Sequence, residues 1–161
     1  MTSANPLLTF ADFPVGKRFD FPGRTVTAAE IVAFAQEFDP QPMHVDEAAG
    51  KASILGGLSA SGWHTSAIMM RMLCDSYIDQ TAAEGSPGVD SMEWKRPVLA
   101  GDILSGHCRV VEARLSRSRP SIGIVRFIAE VTNQRGETVA LCDYANMIRI
   151  DGGEAAAHAN G

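Results

Sequence analysis

The stretch from Trp63 to Ile78 constrains the fold more than any other. Its apolar residues, among them Trp63, Ile68, Met69, Met70, Met72, Leu73 and Tyr77, spread over most of a helical circumference. That pattern predicts a helix buried nearly all round, at ~1.5 Å per residue roughly 25 Å long. A sheet wrapped around it is the natural cover. A run of small residues, Gly56-Gly57-Leu58-Ser59-Ala60-Ser61-Gly62, leads into it, and Ser61 stands where an N-cap is needed.

The rest of the chain supplies that cover. Lys17 to Thr25 reads as a strand that Pro22-Gly23 keeps from being long and regular. Thr27 and Glu30 form a capping box, followed by the apolar stripe Ile31, Phe34, Ala35 and Phe38 of a helix ending at Asp39. A short helix from about Asp46 to Lys51 has Asp46 as its N-cap. From Val89 on, the pattern turns to strands: 89 to 98, 103 to about 113, one through Val125, Phe127, Ala129 and Val131, and a last from about 137 to 150. Asn133-Gln134-Arg135-Gly136 is a hairpin connection. Helices first and strands after, joined by hairpins, predict a single α+β domain over residues 1–150 with a curved antiparallel sheet. Residues 151–161, small and polar, are expected to form a disordered tail.

Between the two helical regions lies Phe38-Asp39-Pro40-Gln41-Pro42-Met43-His44-Val45-Asp46. Two prolines between a carboxylate and an imidazole predict a stiff extended loop, not a helix, because each fixes its own φ and disfavours helical backbone before it. Stiffness suits a catalytic pair, which must be held near its working geometry before substrate arrives. The plainer alternative is that Asp39-Pro40 ends a helix and His44 lies on the surface.

Composition narrows the function. A net charge of −5 over 161 residues argues against a general nucleic-acid binder, while leaving room for an anionic small ligand. The three cysteines, Cys74, Cys108 and Cys142, sit in apolar contexts without a C-x-x-C pair, as buried free thiols of a reducing compartment would. No basic-then-apolar leader opens the chain and no run of about 18 apolar residues occurs, so neither secretion nor a membrane span is expected and the cytoplasm is the default location.

Three segments together resemble the MaoC-like dehydratases, the hot-dog proteins that include (R)-specific enoyl-CoA hydratases. Asp39 to Asp46 resembles the family's D-x-N-P-x-H-x-D loop, with Gln41 where asparagine is usual. Gly56 to Met70 resembles the glycine-rich approach to the central helix, and Val98 to Asp102 with Asn133 to Glu137 resembles its hairpin region. The resemblance implies a hot-dog domain whose sheet wraps a central helix. It also implies an α,β-unsaturated acyl-CoA thioester as substrate, coenzyme A being part of that substrate and no separate cofactor being needed. Asp39 and His44 would be the catalytic pair, and the Gly62 amide would hold the thioester oxygen. Ser61, Trp63 and His64 are candidate substrate contacts beside them. A homodimer or dimer of dimers is implied as well. A non-catalytic hot-dog module for acyl thioesters or a partner subunit is the alternative, and a thioesterase a more distant one.

Other signals are weaker. Gly57-Leu58-Ser59-Ala60-Ser61 lacks the last glycine of a nucleophile elbow. His44, Asp46 and His64 have no metal-ligand spacing, and no metal is expected. His64, one turn into the central helix, reads either as a pocket residue or as a packed core or interface histidine. Arg117, Arg119, Lys95 and Arg96 read as solvated charges, with coenzyme A phosphates as the alternative.

Overall fold

A computed structural model describes residues 6–152. The element order is β1 (Arg18–Thr25), α1 (Ala28–Phe38), α2 (Pro42–Val45), α3 (Glu47–Ala52), α4 (Gly62–Ser76), β2 (Gly88–Trp94), β3 (Ile103–Leu115), β4 (Ile122–Thr132) and β5 (Thr138–Arg149). The strands form one antiparallel sheet in the order β1-β3-β4-β5-β2. Its inner face packs on α4 in a single core: Leu104, Cys108 and Val110 of β3, Val125, Phe127, Ala129 and Val131 of β4, and Ala140, Cys142, Tyr144 and Ile148 of β5 meet Ile68, Met69, Met72 and Leu73. This is a hot-dog fold, with the inward residues those the alternation singled out.

Local chemistry explains the element ends. Thr27 Oγ1 accepts from the Glu30 amide, and the Glu30 carboxylate accepts from the Thr27 amide, so the capping box is closed at both ends. Pairing of β1 with β3 shifts between Phe21 and Arg24, around Pro22-Gly23, because proline offers no N–H to the ladder. In the turn before β5, Asn133 Oδ1 accepts from the amides of Arg135 and Glu137, and Gly136 takes a φ of 74°, a region open to glycine without cost.

Four expectations need correction. The helix predicted over 63–78 runs from Gly62 to Ser76, and Ile78 belongs to a separate 3-10 turn, Ile78–Gln80. Nor is α4 buried all round: Trp63 is 66% exposed and Met70 46%. One five-stranded sheet covers one side of a helix, which leaves the opposite side of α4 open. The proline loop is only half extended, because Asp39 and Gln41 are non-helical but Pro42–Val45 winds into one helical turn. Pro42 sits at the first position of that turn, where a fixed φ helps and the missing N–H costs nothing. Cys108 and Cys142 are buried free thiols, whereas Cys74 is only half-buried. The tail expected from Asp151 lies, beyond its first two residues, outside the described ones.

Phe127 is fully buried in an aromatic cluster of the core, its ring 5.2 Å from Tyr77, 5.3 Å from Tyr144 and 6.0 Å from Phe13. Phe127→Ala is expected to cost about 3–5 kcal/mol in chemical denaturation. Gln36→Ala on the exposed side of α1 should stay within about 0.5 kcal/mol.

Candidate active site

Three backbone segments converge at one end of α4. Asp39 is the C-cap of α1, its amide donating to Ala35 O at 2.9 Å, and Pro40 prevents further winding. His44 lies in the α2 turn and is buried. The strip Leu58 to Ser61 is pinned by β-type bonds to the segment before β3: the Ala60 amide donates to Val98 O and the Ala100 amide to Leu58 O. That strip delivers Ser61 to the start of α4 with both Ser59 and Ser61 fully buried.

The side chains then meet. Ser61 Oγ accepts from the Trp63 amide, as an N-cap does, and donates to Asp39 Oδ2 at 2.6 Å. Gln41 Nε2 donates to Asp39 Oδ1 at 2.7 Å, so the amide that departs from the family's asparagine buttresses the carboxylate directly. These two hydrogen bonds, with a smaller pull from His44, hold the Asp39 carboxyl below its ordinary value against the opposing effect of burial. Asp39 is therefore an anion at neutral pH.

His44 Nδ1 is 2.7 Å from Ser59 O. A carbonyl only accepts, so Nδ1 carries the proton and, in the neutral ring, Nε2 presents a lone pair. Nε2 faces Asp39 Oδ2 at 3.7 Å, too far for a direct hydrogen bond. The site thus holds two acceptors across a narrow gap, each oriented by a partner of its own. Such a gap suits a small molecule that donates to both.

Beside the pair is a cavity of about 200 Å³, lined in part by His44, Ser59, Gly62, Thr65, Trp94 and Val98. Gly62 opens α4, where amides lack intrahelical acceptors and the helix end carries partial positive charge. Trp94, at the end of β2, lies against it: a Cβ on Gly62 would fall 2.5 Å from the indole. The indole N–H donates to Ser66 Oγ, which donates to Gly62 O. The structure thus brings Asp39, His44, Ser61 and Gly62 together. Trp63 points outward and meets Trp94 edge-on at 5.3 Å. His64 lies away from the cavity, stacked on Phe34 with ring centres 4.7 Å apart. Its burial lowers its pKa, with Glu30 opposing and Arg24 adding to the effect.

Three participants carried no readable signal. Ser59 acts through its carbonyl, which every residue has. Trp94 lies far along the chain from Gly62. The bond from Ser61 to Asp39 depends on two helix ends meeting, although Ser61 itself was legible as a cap. Arg117 and Arg119 lie with Arg114 around an open hollow at the turn between β3 and β4. Lys95 and Arg96 lie at the mouth of the His44 cavity, paired with Glu93 and Glu137 respectively. Among the described residues no cluster of His, Cys, Asp and Glu is placed to hold a metal, and no helix is long and apolar enough to cross a membrane.

Comparison with known proteins bears on the fold and the family. A MaoC-like dehydratase from Rhodospirillum rubrum, of known crystal structure, is 42% identical, with a TM-score of 0.81 over 88% of this chain and 97% of that one. The uncharacterized protein YdeM of Bacillus subtilis is 30% identical over 126 residues, 77% of this chain and 86% of that protein. The R-hydratase PhaJ1 of Pseudomonas aeruginosa shares the fold, with a TM-score of 0.72 at 20% identity over 96% of this chain and 97% of that one. The family model described as the MaoC like domain matches residues 11–132, a span that contains Asp39, His44, Ser61 and Gly62, and the chain belongs to that family.

Proposed function

We propose that the protein adds water to, or removes it from, an α,β-unsaturated acyl-CoA thioester. The observation that carries this reading is the 3.7 Å gap between Asp39 Oδ2 and His44 Nε2, with both groups held as acceptors. A water bridging the two atoms from the side, off the line that joins them, donates one hydrogen to each. On hydration its oxygen bonds to Cβ of the substrate while a proton passes to the pair. The electron pair of the C=C bond moves toward the thioester carbonyl, whose oxygen becomes negative. The pair then returns a proton to Cα, and both side chains end as they began. The Gly62 amide, at the positive end of α4, is suited to receive that oxygen. Trp94 and Val98 supply apolar wall.

The edge strand β2 supports a second part of the proposal. Val89 is 59% exposed and Trp94 46%, beside exposed Trp63 on α4, and β2 pairs on one side only. We infer a homodimer or dimer of dimers that covers this edge, next to the catalytic cavity because Trp94 belongs to both. The protein would work in the cytoplasm, where acyl-CoA is available.

Asp39→Asn keeps size but removes the base and one of the two acceptors, and His44→Gln keeps an Nδ1-like donor but removes the imidazole. Each should lower turnover of enoyl-CoA by about 10²- to 10⁴-fold, with the melting temperature little changed in His44→Gln and lowered in Asp39→Asn only by the stability the carboxylate contributes. The double variant should be little worse than the weaker single one, since both groups act on one water. Near-normal turnover in either folded variant would remove the mechanism and leave a binding module.

The pH dependence follows from Ser61. Its hydrogen bond is the largest influence lowering the Asp39 pKa from 3.8, so Asp39 stays ionised to below that value. Ser61→Ala should raise the Asp39 pKa, which a carbon-13 NMR titration of the carboxyl group reads directly. The carboxylate's contribution to stability, complete above pH 3.8 and lost as pH falls through the depressed folded value, should shrink with it. Light scattering should return two or four times the chain mass of 17.2 kDa; a monomer at micromolar concentration would count against the assembly.

A further inference from the structure

His64 takes no part in the chemistry above, yet it is buried and holds the one buried side-chain nitrogen or oxygen among the described residues without a hydrogen-bond partner, Nδ1. An unpartnered polar atom costs free energy that a leucine in the same space would avoid. What a leucine lacks is a flat ring. The imidazole lies nearly parallel to Phe34 of α1, ring centres 4.7 Å apart at 9°. Its Nε2 faces Glu30 Oε1 at 3.8 Å, and the same carboxylate oxygen accepts from Arg24 of β1. With Nδ1 unpartnered, the neutral tautomer that suits this site carries its proton on Nε2, toward the carboxylate.

The placement of these contacts gives them a consequence. Phe34 and Asp39 belong to one helix and its cap, and Ser61 and His64 to the other. The Ser61–Asp39 hydrogen bond is one contact between α1 and α4, and one contact does not fix the roll of α1; a roll would carry Asp39 away from both Ser61 and His44. Ile31 and Ala35 bury α1 against the core, but apolar contact is non-directional and sets depth better than roll. A ring stack three residues on from Ser61 in α4 and five residues before Asp39 in α1 supplies the second point and removes the roll. The Asp39 carboxylate is at the end of that lever.

We propose that His64 is a positioning residue, whose stack on Phe34 sets the roll of α1 against α4 and thereby the gap between Asp39 and His44. This rests on the hydratase reading for its catalytic consequence, though not for its structural one. The role also accounts for a histidine on α4 that does not reach the cavity.

The test compares His64→Leu with His64→Phe in the full chain. Both fill the space with apolar atoms, so both should fold, but only phenylalanine restores the parallel stack. In His64→Leu, kcat should fall about 10- to 100-fold with KM within about threefold, because displacing a reacting group by roughly 1 Å costs on that scale. His64→Phe should recover to within about threefold of the parent. Crystal structures of the two variants should show the 2.6 Å Ser61–Asp39 contact kept with phenylalanine and lengthened with leucine. Parent-like kcat in folded His64→Leu overturns the proposal, as does a rise in KM at constant kcat, which marks a substrate contact. Equal damage from leucine and phenylalanine overturns it too. If the parent protein hydrates no enoyl thioester, the hydratase reading falls, and the two crystal structures still decide whether His64 sets the Asp39 position.

Discussion

The hydrogen bond from Ser61 to Asp39 joins the two halves of this molecule's chemistry. One hydroxyl caps α4 and grips the carboxylate that caps α1. The cap determines where the positive end of α4 begins, and the grip determines where the anion sits relative to it. Neither would hold if the strip Leu58 to Ser61 could wander. Its backbone bonds to Val98 and Ala100 therefore matter as much as the side chains they carry. The fold serves the site by pinning a strip of main chain, so that three side chains and one amide arrive together.

That pinning also governs His44. Its Nδ1 proton is committed to Ser59 O, a carbonyl of the same strip. The tautomer and the direction of the Nε2 lone pair follow from it. Asp39 and His44 thus take their orientation from neighbouring positions on one segment, Ser61 and Ser59. A shift of that segment would move both acceptors together and leave the gap between them largely unchanged. An alteration of α1 alone would open it.

Much of this was legible in the sequence, and the limits have physical causes. The capping box at Thr27 and Glu30, the alternation along β4 and the cap at Ser61 are local signals, and local signals are readable. The proline loop was half-legible: proline excludes helix before itself, which holds at Asp39 and Gln41, but it also favours being the first residue of a helical turn, which Pro42 is. The α4 pattern reads as burial all round because Trp63 and Met70 are apolar, and periodicity cannot say whether an apolar stripe faces the chain's own sheet. Trp94 against Gly62 was invisible, since it is a contact between a helix start and the end of an edge strand. The opening glycine of α4 owes its lack of a side chain as much to that indole as to any ligand.

The proposed chemistry turns on a water activated between Asp39 and His44. It is tested most directly by incubating the protein with an enoyl-CoA thioester in water labelled with oxygen-18. Mass spectrometry should find one labelled oxygen in the 3-hydroxyl of the product, with the thioester intact and no free thiol released. Label in a carboxylic acid with release of coenzyme A, or no incorporation by a protein that binds the thioester, would contradict it.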